Sequence, residues 1–274
     1  MSKIHKINDD CIKTMKKLKD ESIDVCITDC PYIVKTRTIL IDENNEINKN
    51  WAKTDPKGCL NRYKEIKVPS SNTKCNDKWK KKETIVNSNV RDKMFEHNDL
   101  SFADWLPELY RIMKNTHTYI MINARNLKEL QLEAEICANT EEEKEKIRNK
   151  RVKKKFIFQN LLVWNKNFTP NKYYMQGAEF ILMLRKPARN INDMSTNIIN
   201  VKNIIKKQHP TEKPAELYEY MLKNSINLPS EENPNPTNWI IDPFACPIIE
   251  AKKYNCNIVA IEIDKEYFEI LDKR

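Results

Sequence analysis

The sequence predicts an α/β fold built on a mostly parallel sheet with helices on both faces. Two observations carry that prediction. Short apolar runs alternate with stretches of helical period along most of the 274 residues, which is how parallel strands joined by crossover helices read. Three of the runs also lead directly into an acid, Asp29, Asp242 and Glu262. Ligands of such sheets bind beyond the carboxyl ends of the strands.

In chain order, residues 4–7 are the first apolar run and residues 11–18 the first helical stretch. Residues 23–28 (Ile-Asp-Val-Cys-Ile-Thr) form a largely β-branched run that delivers Asp29. Residues 102–113 place Phe102, Leu106, Leu109 and Met113 on one helical face. Residues 118–122 follow as a strand, residues 127–136 as a helix, residues 160–164 and 180–184 as two strands, and residues 215–226 as a helix. Residues 238–241 lead into Asp242, and residues 257–263 run through Glu262 towards Asp264. Two segments break the alternation. Residues 35–94 are rich in Lys, Asn, Asp and Thr with scattered Trp51, Tyr63 and Trp79, and read as a basic insertion or long loop. Residues 139–155 are a charged run whose acidic start and basic end suit a solvated helix. The reading is of one domain, 1–274, with both segments inside it.

A formal net charge of +9 favours a polyanionic partner, most often nucleic acid. The alternative is the Lys-, Asn- and Ile-rich usage of an AT-biased genome, phage or prophage among them, and charge alone divides evenly between the two. The eight cysteines form no C-x-x-C pair, and His5, His97, His117 and His209 do not cluster with them. That argues against a zinc site or a disulfide framework and for reduced thiols in a cytoplasm. No apolar run approaches the roughly 18 residues of a membrane span. Two glycines are few for this fold class, because glycine serves tight turns and nucleotide loops.

The stretch Thr28-Asp29-Cys30-Pro31-Tyr32 brings an acid, a proline and an aromatic ring to the expected ligand edge. This chemistry suits a planar amine such as an extruded base. A carboxylate accepts one hydrogen bond from the amino group, and the next backbone carbonyl accepts a second. The proline fixes the turn, and the ring stacks on the base, worth about 1–3 kcal/mol. Taken alone, the stretch equally describes an Asp-started turn with a packed tyrosine.

The surrounding residues decide between these. The opening Asn8-Asp9-Asp10-Cys11, with Thr28 to Tyr32 after the next strand, resembles the start of the DNA N6-adenine and N4-cytosine amino-methyltransferases of the beta arrangement. That family carries Gly-Asp-Cys and then Asp-Pro-Pro-Tyr at these places. The resemblance continues in the family's order through Phe102, Trp105, Glu108, Arg111 and Lys114, then Asn123-Ala124-Arg125-Asn126-Leu127, Leu162-Val163-Trp164-Asn165-Lys166 and Glu179 to Lys186. It ends with His209-Pro210-Thr211-Glu212-Lys213-Pro214, Asp242-Pro243-Phe244-Ala245 and Ile261-Glu262-Ile263-Asp264. It covers nearly the whole chain apart from residues 35–94 and 139–155.

The resemblance implies a Rossmann-like, S-adenosylmethionine-dependent methyltransferase with a mostly parallel seven-stranded sheet and permuted order, the catalytic motif before the cofactor motif. It implies that Asp29, the Cys30 carbonyl, Pro31 and Tyr32 hold the target base. Asp10, Lys213, Asp242, Pro243, Phe244, Ala245 and Glu262 would bind the cofactor, with Glu262 on the ribose hydroxyls and Asp10 near the adenine. No metal is implied. The substrate would be double-stranded DNA, with adenine N6 favoured because the Asp-first tetrapeptide is commoner among those members. A homodimer and a cognate restriction enzyme are further partners the family allows. Residues 35–94 and 187–208 are the candidate specificity segments.

Three positions depart from the pattern. Cys30 replaces a proline, Asp9 replaces a glycine, and Cys246-Pro247-Ile248-Ile249-Glu250-Ala251-Lys252 stands where the family has its glycine-rich cofactor loop. The segment is also shorter than the family's. A chain that keeps the basic face but has lost this loop would be a DNA-binding pseudoenzyme, and that alternative stays beside the enzyme.

Overall fold

The computed structural model describes residues 3–31, 100–169, 174, 176–186, 190–204, 212–245 and 253–273, together with the backbone of residues 39–42 and 79–82. Ten strands and six helices fall within these residues. The strands are β1 (Ile4–Ile7), β2 (Val25–Asp29), β3 (Ile39–Asp42), β4 (Trp79–Lys82), β5 (His117–Ile122), β6 (Ile157–Thr169), β7 (Gln176–Arg185), β8 (Ile198–Asn200), β9 (Asn238–Asp242) and β10 (Cys256–Ile261). The helices are α1 (Cys11–Met15), α2 (Phe102–Ile112), α3 (Leu127–Ile136), α4 (Glu141–Arg148), α5 (Ala215–Ser225) and α6 (Lys265–Asp272).

The main sheet has eight strands in the order β1-β10-β9-β2-β5-β7-β6-β8. From β1 to β5 every pairing is parallel. β7 lies antiparallel between β5 and β6, and β8 joins β6 in parallel. The eighth strand, against the seven expected, is β8. It is three residues long, too short to show a period in sequence. The contacts of the chain fall into two compact units, one of Met1–Tyr32 with Asp99–Arg274 and one of Ile33–Asn98. Within the second unit β3 pairs antiparallel with β4, so the segment read as an insertion or loop contains paired strands.

The central strands are buried on both faces, and the faces separate by alternation. Val25 and Ile27 of β2, Tyr119 and Met121 of β5, and Ile181 and Met183 of β7 belong to one apolar layer with Leu217, Tyr218, Met221 and Leu222 of α5 and Leu271 of α6. Cys26, Ile120, Ile122, Leu182 and Leu184 face the other layer, with Cys11 and Met15 of α1, Trp105, Leu106 and Leu109 of α2, and Leu130 and Ala134 of α3. Fully burying an aliphatic or aromatic side chain of this size contributes roughly 1.5–3 kcal/mol. Both layers are needed, because a parallel sheet has no face that water can cover. The cysteines among the described residues, Cys11, Cys26, Cys30, Cys137 and Cys256, are free and buried.

The helix starts follow the sequence. Asp10 caps α1 by accepting from Lys13 N at 2.8 Å, Thr140 caps α4, and Asp264 caps α6 through Glu266 N at 2.8 Å and Tyr267 N at 3.1 Å. Helix α4 has Glu141, Glu142 and Glu143 in its first turn and Lys146 and Arg148 in its last, the order the helix dipole favours. In a chain with so few glycines, Glu21, Cys137, Lys150 and Asn255 adopt positive φ. Among the described residues, no helix is long and apolar enough to cross a membrane.

Candidate active site

Parallel strands β1, β10, β9, β2 and β5 bring their carboxyl ends to one edge. The register aligns Ile7 with Ile261, Ala260 with Asp242, and Asp29 with Met121. The three acids expected at strand ends therefore reach the same edge, Glu262 after β10, Asp242 on β9 and Asp29 on β2, and Asp10 follows β1 there.

Asp242 is fully buried. Its Oδ1 accepts the Thr28 hydroxyl at 2.6 Å and the Phe244 N–H at 3.1 Å. One carboxylate oxygen thus ties the strand that bears Asp29 to the turn Asp242-Pro243-Phe244-Ala245. The turn is closed on its far side by Ala245 N donating to Ile261 O at 2.8 Å. Phe244 meets the fully buried Trp105 edge-to-face at 5.0 Å. Pro243 and Ala245 are buried and Phe244 is half-buried.

Glu262 lies just past β10, its own N–H donating to Ile7 O at 3.0 Å. Its carboxylate accepts from Asp264 N at 2.7 Å and from the Ile263 backbone. Burial outweighs these backbone donors and pushes its pKa up to about 7. Asn8 braces the same turn by donating to Glu262 O at 2.8 Å. Asp10 is engaged in capping α1. Its neighbour Asp9, which stands where the family has glycine, accepts from Lys13 and Lys17, each at 3.1 Å. Those ammonium groups hold its pKa down at about 2.

At the other half of the edge Asp29 Oδ2 sits 3.0 Å from Lys213 Nζ, with the two side chains only 10% and 9% exposed. Lys213 Nζ is also 3.0 Å from Glu179 Oε2. Glu179 in turn pairs with Lys166, whose ammonium lies 5.6 Å from the Trp164 ring centroid. Burial works against the Lys213 ammonium, but Asp29 and Glu179 outweigh it and hold its pKa above the ordinary lysine value. Burial alone would raise Glu179 as well; Lys213 and Lys166 instead hold it below the usual carboxylate range.

Strand geometry explains the meeting. Asp29, Met121 and Ile181 lie in one row across β2, β5 and β7. Glu179 is two residues before Ile181, so it points to the same face. Lys213 stands immediately before Pro214, the N-cap of α5, and α5 packs on that face. Lys213, expected beside the cofactor, is thus paired with Asp29, the acid of the stretch expected to hold the base. Glu179 and Lys166 were legible in sequence only as family matches. The signal available was parity, an acid on the buried-face positions of an otherwise apolar strand.

Cys30 is buried and its Sγ donates to Met121 O at 3.6 Å. Burial foremost, then Asp29, push its thiol far above the ordinary range. Pro31 is half-buried. Tyr32, residues 209–211 and the glycine-free stretch 246–252 lie outside the described residues. Lys186, which a solvated strand exit would leave in water, is instead 6% exposed. It donates to Met113 O at 2.7 Å and packs 4.5 Å from the Tyr110 ring centroid. It belongs to a cavity of about 440 Å³ lined also by Arg111, Lys155 and Glu143. That cavity lies at the amino edge of β2 and β5, away from the acids described above. Arg111, Lys155 and Lys186 each face a carboxylate there, so its charges are already paired within the protein.

Comparison with known proteins agrees with this arrangement. The DNA methylase family of N6/N4 methyltransferases matches residues 23–273. The Type II methyltransferase M.HpaI of Haemophilus parainfluenzae is 24% identical over 297 aligned positions, covering 96% of this chain and 71% of the relative. The structure of the M1.HpyAVI–SAM complex superposes with a TM-score of 0.54 at 17% identity over 100% of both chains. The cytosine-N4-specific PvuII DNA methyltransferase superposes at 0.52 and 10% identity over 98% of this chain and 86% of the other. At such identities the superpositions speak for the fold, an α/β methyltransferase sheet. Together with the match over most of the sequence, they place this chain in the N6/N4 DNA methylase family.

Proposed function

We propose that this chain transfers a methyl group from S-adenosylmethionine to the exocyclic amine of a base flipped out of duplex DNA, with adenine N6 as the favoured acceptor. The observation that carries the reading is the shared edge. Asp29 ends β2 beside the Asp242 turn, and Glu262 ends β10 on the other side of β9.

The residues present suit the cofactor. Glu262 is a half-buried carboxyl held by backbone N–H groups and by no ammonium among the described residues, and burial raises it to about 7. Asp10 and the turn Asp242-Pro243-Phe244-Ala245 flank it. When bound, S-adenosylmethionine supplies an electrophilic methyl on a sulfonium. Asp29 accepts a hydrogen bond from the base amine and turns its lone pair towards that methyl. The Cys30 carbonyl accepts the second N–H, and Tyr32 stacks on the ring. The methyl would come from bound S-adenosylmethionine, and the proton that the amine gives up would pass to solvent. Asp29 stabilises the positive charge that develops on the amine nitrogen. Extrusion costs a few kcal/mol, offset by these contacts. Residues 35–94 and 187–208 carry site recognition in this reading, and the protein works in the cytoplasm as one methyltransferase domain.

The test is transfer of labelled methyl to duplex DNA followed by digestion to nucleosides. N6-methyladenine is the expected product, and N4-methylcytosine alone overturns the adenine assignment. The glycine-free stretch 246–252 favours one second reading, a DNA-binding protein without cofactor. Calorimetric titration with S-adenosylmethionine separates the two. Absence of binding, with salt-sensitive DNA binding retained, overturns the enzyme.

A further inference from the structure

We propose that Glu179 is a positioning residue for Asp29. Acting through Lys213 and balanced by Lys166, it sets how strongly the Asp29 carboxylate accepts a hydrogen bond from the base. The inference rests on the reading of Asp29 as the acid that holds the target amine.

Asp29 and Glu179 stand on β2 and β7 with β5 between them. Two strand spacings separate their backbones by roughly 10 Å. Lys213 Nζ lies between the two carboxylates, 3.0 Å from an oxygen of each. A buried ammonium with one partner removed leaves an uncompensated charge, which is strongly unfavourable. Lys213 therefore cannot follow Asp29 freely; its position is fixed from the β7 side. Lys166 fixes Glu179 from β6 in the same way. The four groups carry two negative and two positive charges, so the quartet is neutral. Each of them feels a change in any other, because charges in a poorly solvated site interact strongly.

The neighbouring ionisable groups among the described residues do not take over this role. Asp242 is engaged by Thr28 and Phe244, and the Cys30 thiol is kept neutral by burial. Glu212 precedes Lys213 in the chain and has interactions of its own. What remains is a line of alternating charge, Lys166, Glu179, Lys213, Asp29, ending at the acid on the reacting amine. Removing the Glu179 charge lets Lys213 act on Asp29 undivided, which weakens Asp29 as an acceptor. Removing the Lys166 charge lets Glu179 draw more strongly on Lys213, which frees Asp29. The two changes have opposite signs, a signature that a mere structural tie does not produce.

The experiment measures methyl transfer to duplex DNA against pH with the full chain, for the parent, Asp29→Ala, Glu179→Gln and Lys166→Met. In Glu179→Gln the plateau kcat is expected to fall about 10- to 100-fold, the range that small misplacements in a site cost. Its acid limb moves to lower pH, with S-adenosylmethionine and DNA affinities unchanged. In Lys166→Met the acid limb moves to higher pH. Limbs that stay at the parental pH, or that move in the same direction, overturn the proposal while leaving Asp29 in place. If Glu179→Gln does not fold, an unmoved limb in Lys166→Met alone overturns it. A parent without transfer activity, or an Asp29→Ala protein as active as the parent, sinks the reading of Asp29 and this inference with it.

Discussion

Asp29 and Glu179 are held by a lysine ammonium at 3.0 Å from each, whereas Glu262 and Asp10, on the strands to the other side of β9, are held by backbone N–H groups. Among the described residues, neither of the latter pair takes part in an ion pair. The same edge of one sheet therefore offers two electrical environments. On one half, acids are neutralised in advance and their geometry is fixed. On the other, burial raises the pKa of a carboxyl that backbone N–H groups alone hold among the described residues. In the proposed reading, fixed charge holds still the acid that steers a neutral amine, and the acid that takes hydroxyls keeps acceptor capacity that no ammonium occupies.

The comparison breaks first at Asp29. Replacing it with Ala is expected to lower kcat by about 10²–10³-fold, as loss of one preorganised electrostatic contact does, with S-adenosylmethionine affinity unchanged by calorimetry. An equal loss of cofactor affinity would show that the two halves do not act separately.

A smaller effect sharpens the other half. In its proposed role Glu262 takes the cofactor's hydroxyls as a carboxylate, and burial raises its pKa to about 7. Cofactor affinity should therefore rise as pH rises through that value, with protons released on binding. Glu262→Gln should weaken binding about 10- to 100-fold, the loss of a charged hydrogen bond, and flatten the pH dependence. Titration in buffers of different ionisation enthalpy reads the proton release directly. The sign for folding is opposite. A carboxyl whose folded pKa is raised contributes less stability as pH climbs from its ordinary value of 4.5 to about 7. Urea midpoints of the parent should fall across that interval relative to those of Glu262→Gln.

Thr28→Val touches the seam between the halves. It removes the hydroxyl on Asp242 Oδ1 while keeping the side-chain volume, and should cost about 1–3 kcal/mol in denaturant unfolding. Thr140→Ala, far from the edge, removes the cap of α4. It should cost about 1 kcal/mol and leave cofactor affinity and transfer rate at parental values.

Much of this architecture is legible in the sequence, for a physical reason. Parallel strands buried on both faces must be nearly continuous apolar runs, so β2, β5, β9 and β10 stand out, and the acids that end three of the runs mark the ligand edge. β8 escapes because three residues cannot display a period. The extension of β6 to Thr169 escapes because Asn165, Lys166, Asn167 and Thr169 are polar and leave Phe168 outside any apolar run. The pairing of Lys213 with Asp29 escapes for another reason. Nothing local links residues so distant in sequence; they meet only because α5 packs on the face to which Asp29 and Glu179 point. Lys186 escapes similarly, since a lysine after a strand reads as solvated until the backbone carbonyls that receive it are known.

The strand order also governs when this edge can exist. Among the described residues, β2 pairs with β5 on one side and with β9 on the other, and β1 pairs with β10. On the ribosome, Ile4 to Ile7 must wait unpaired until residues 258 to 261 have been made. The side of β2 that β9 covers stays open until residues 240 and 241 arrive. Pairings of such sequence separation form slowly and expose apolar strands meanwhile. The half of the edge proposed to receive the cofactor is therefore the last part of this sheet to be assembled during synthesis, and a ligand able to hold β1, β10 and β9 together would speed its completion.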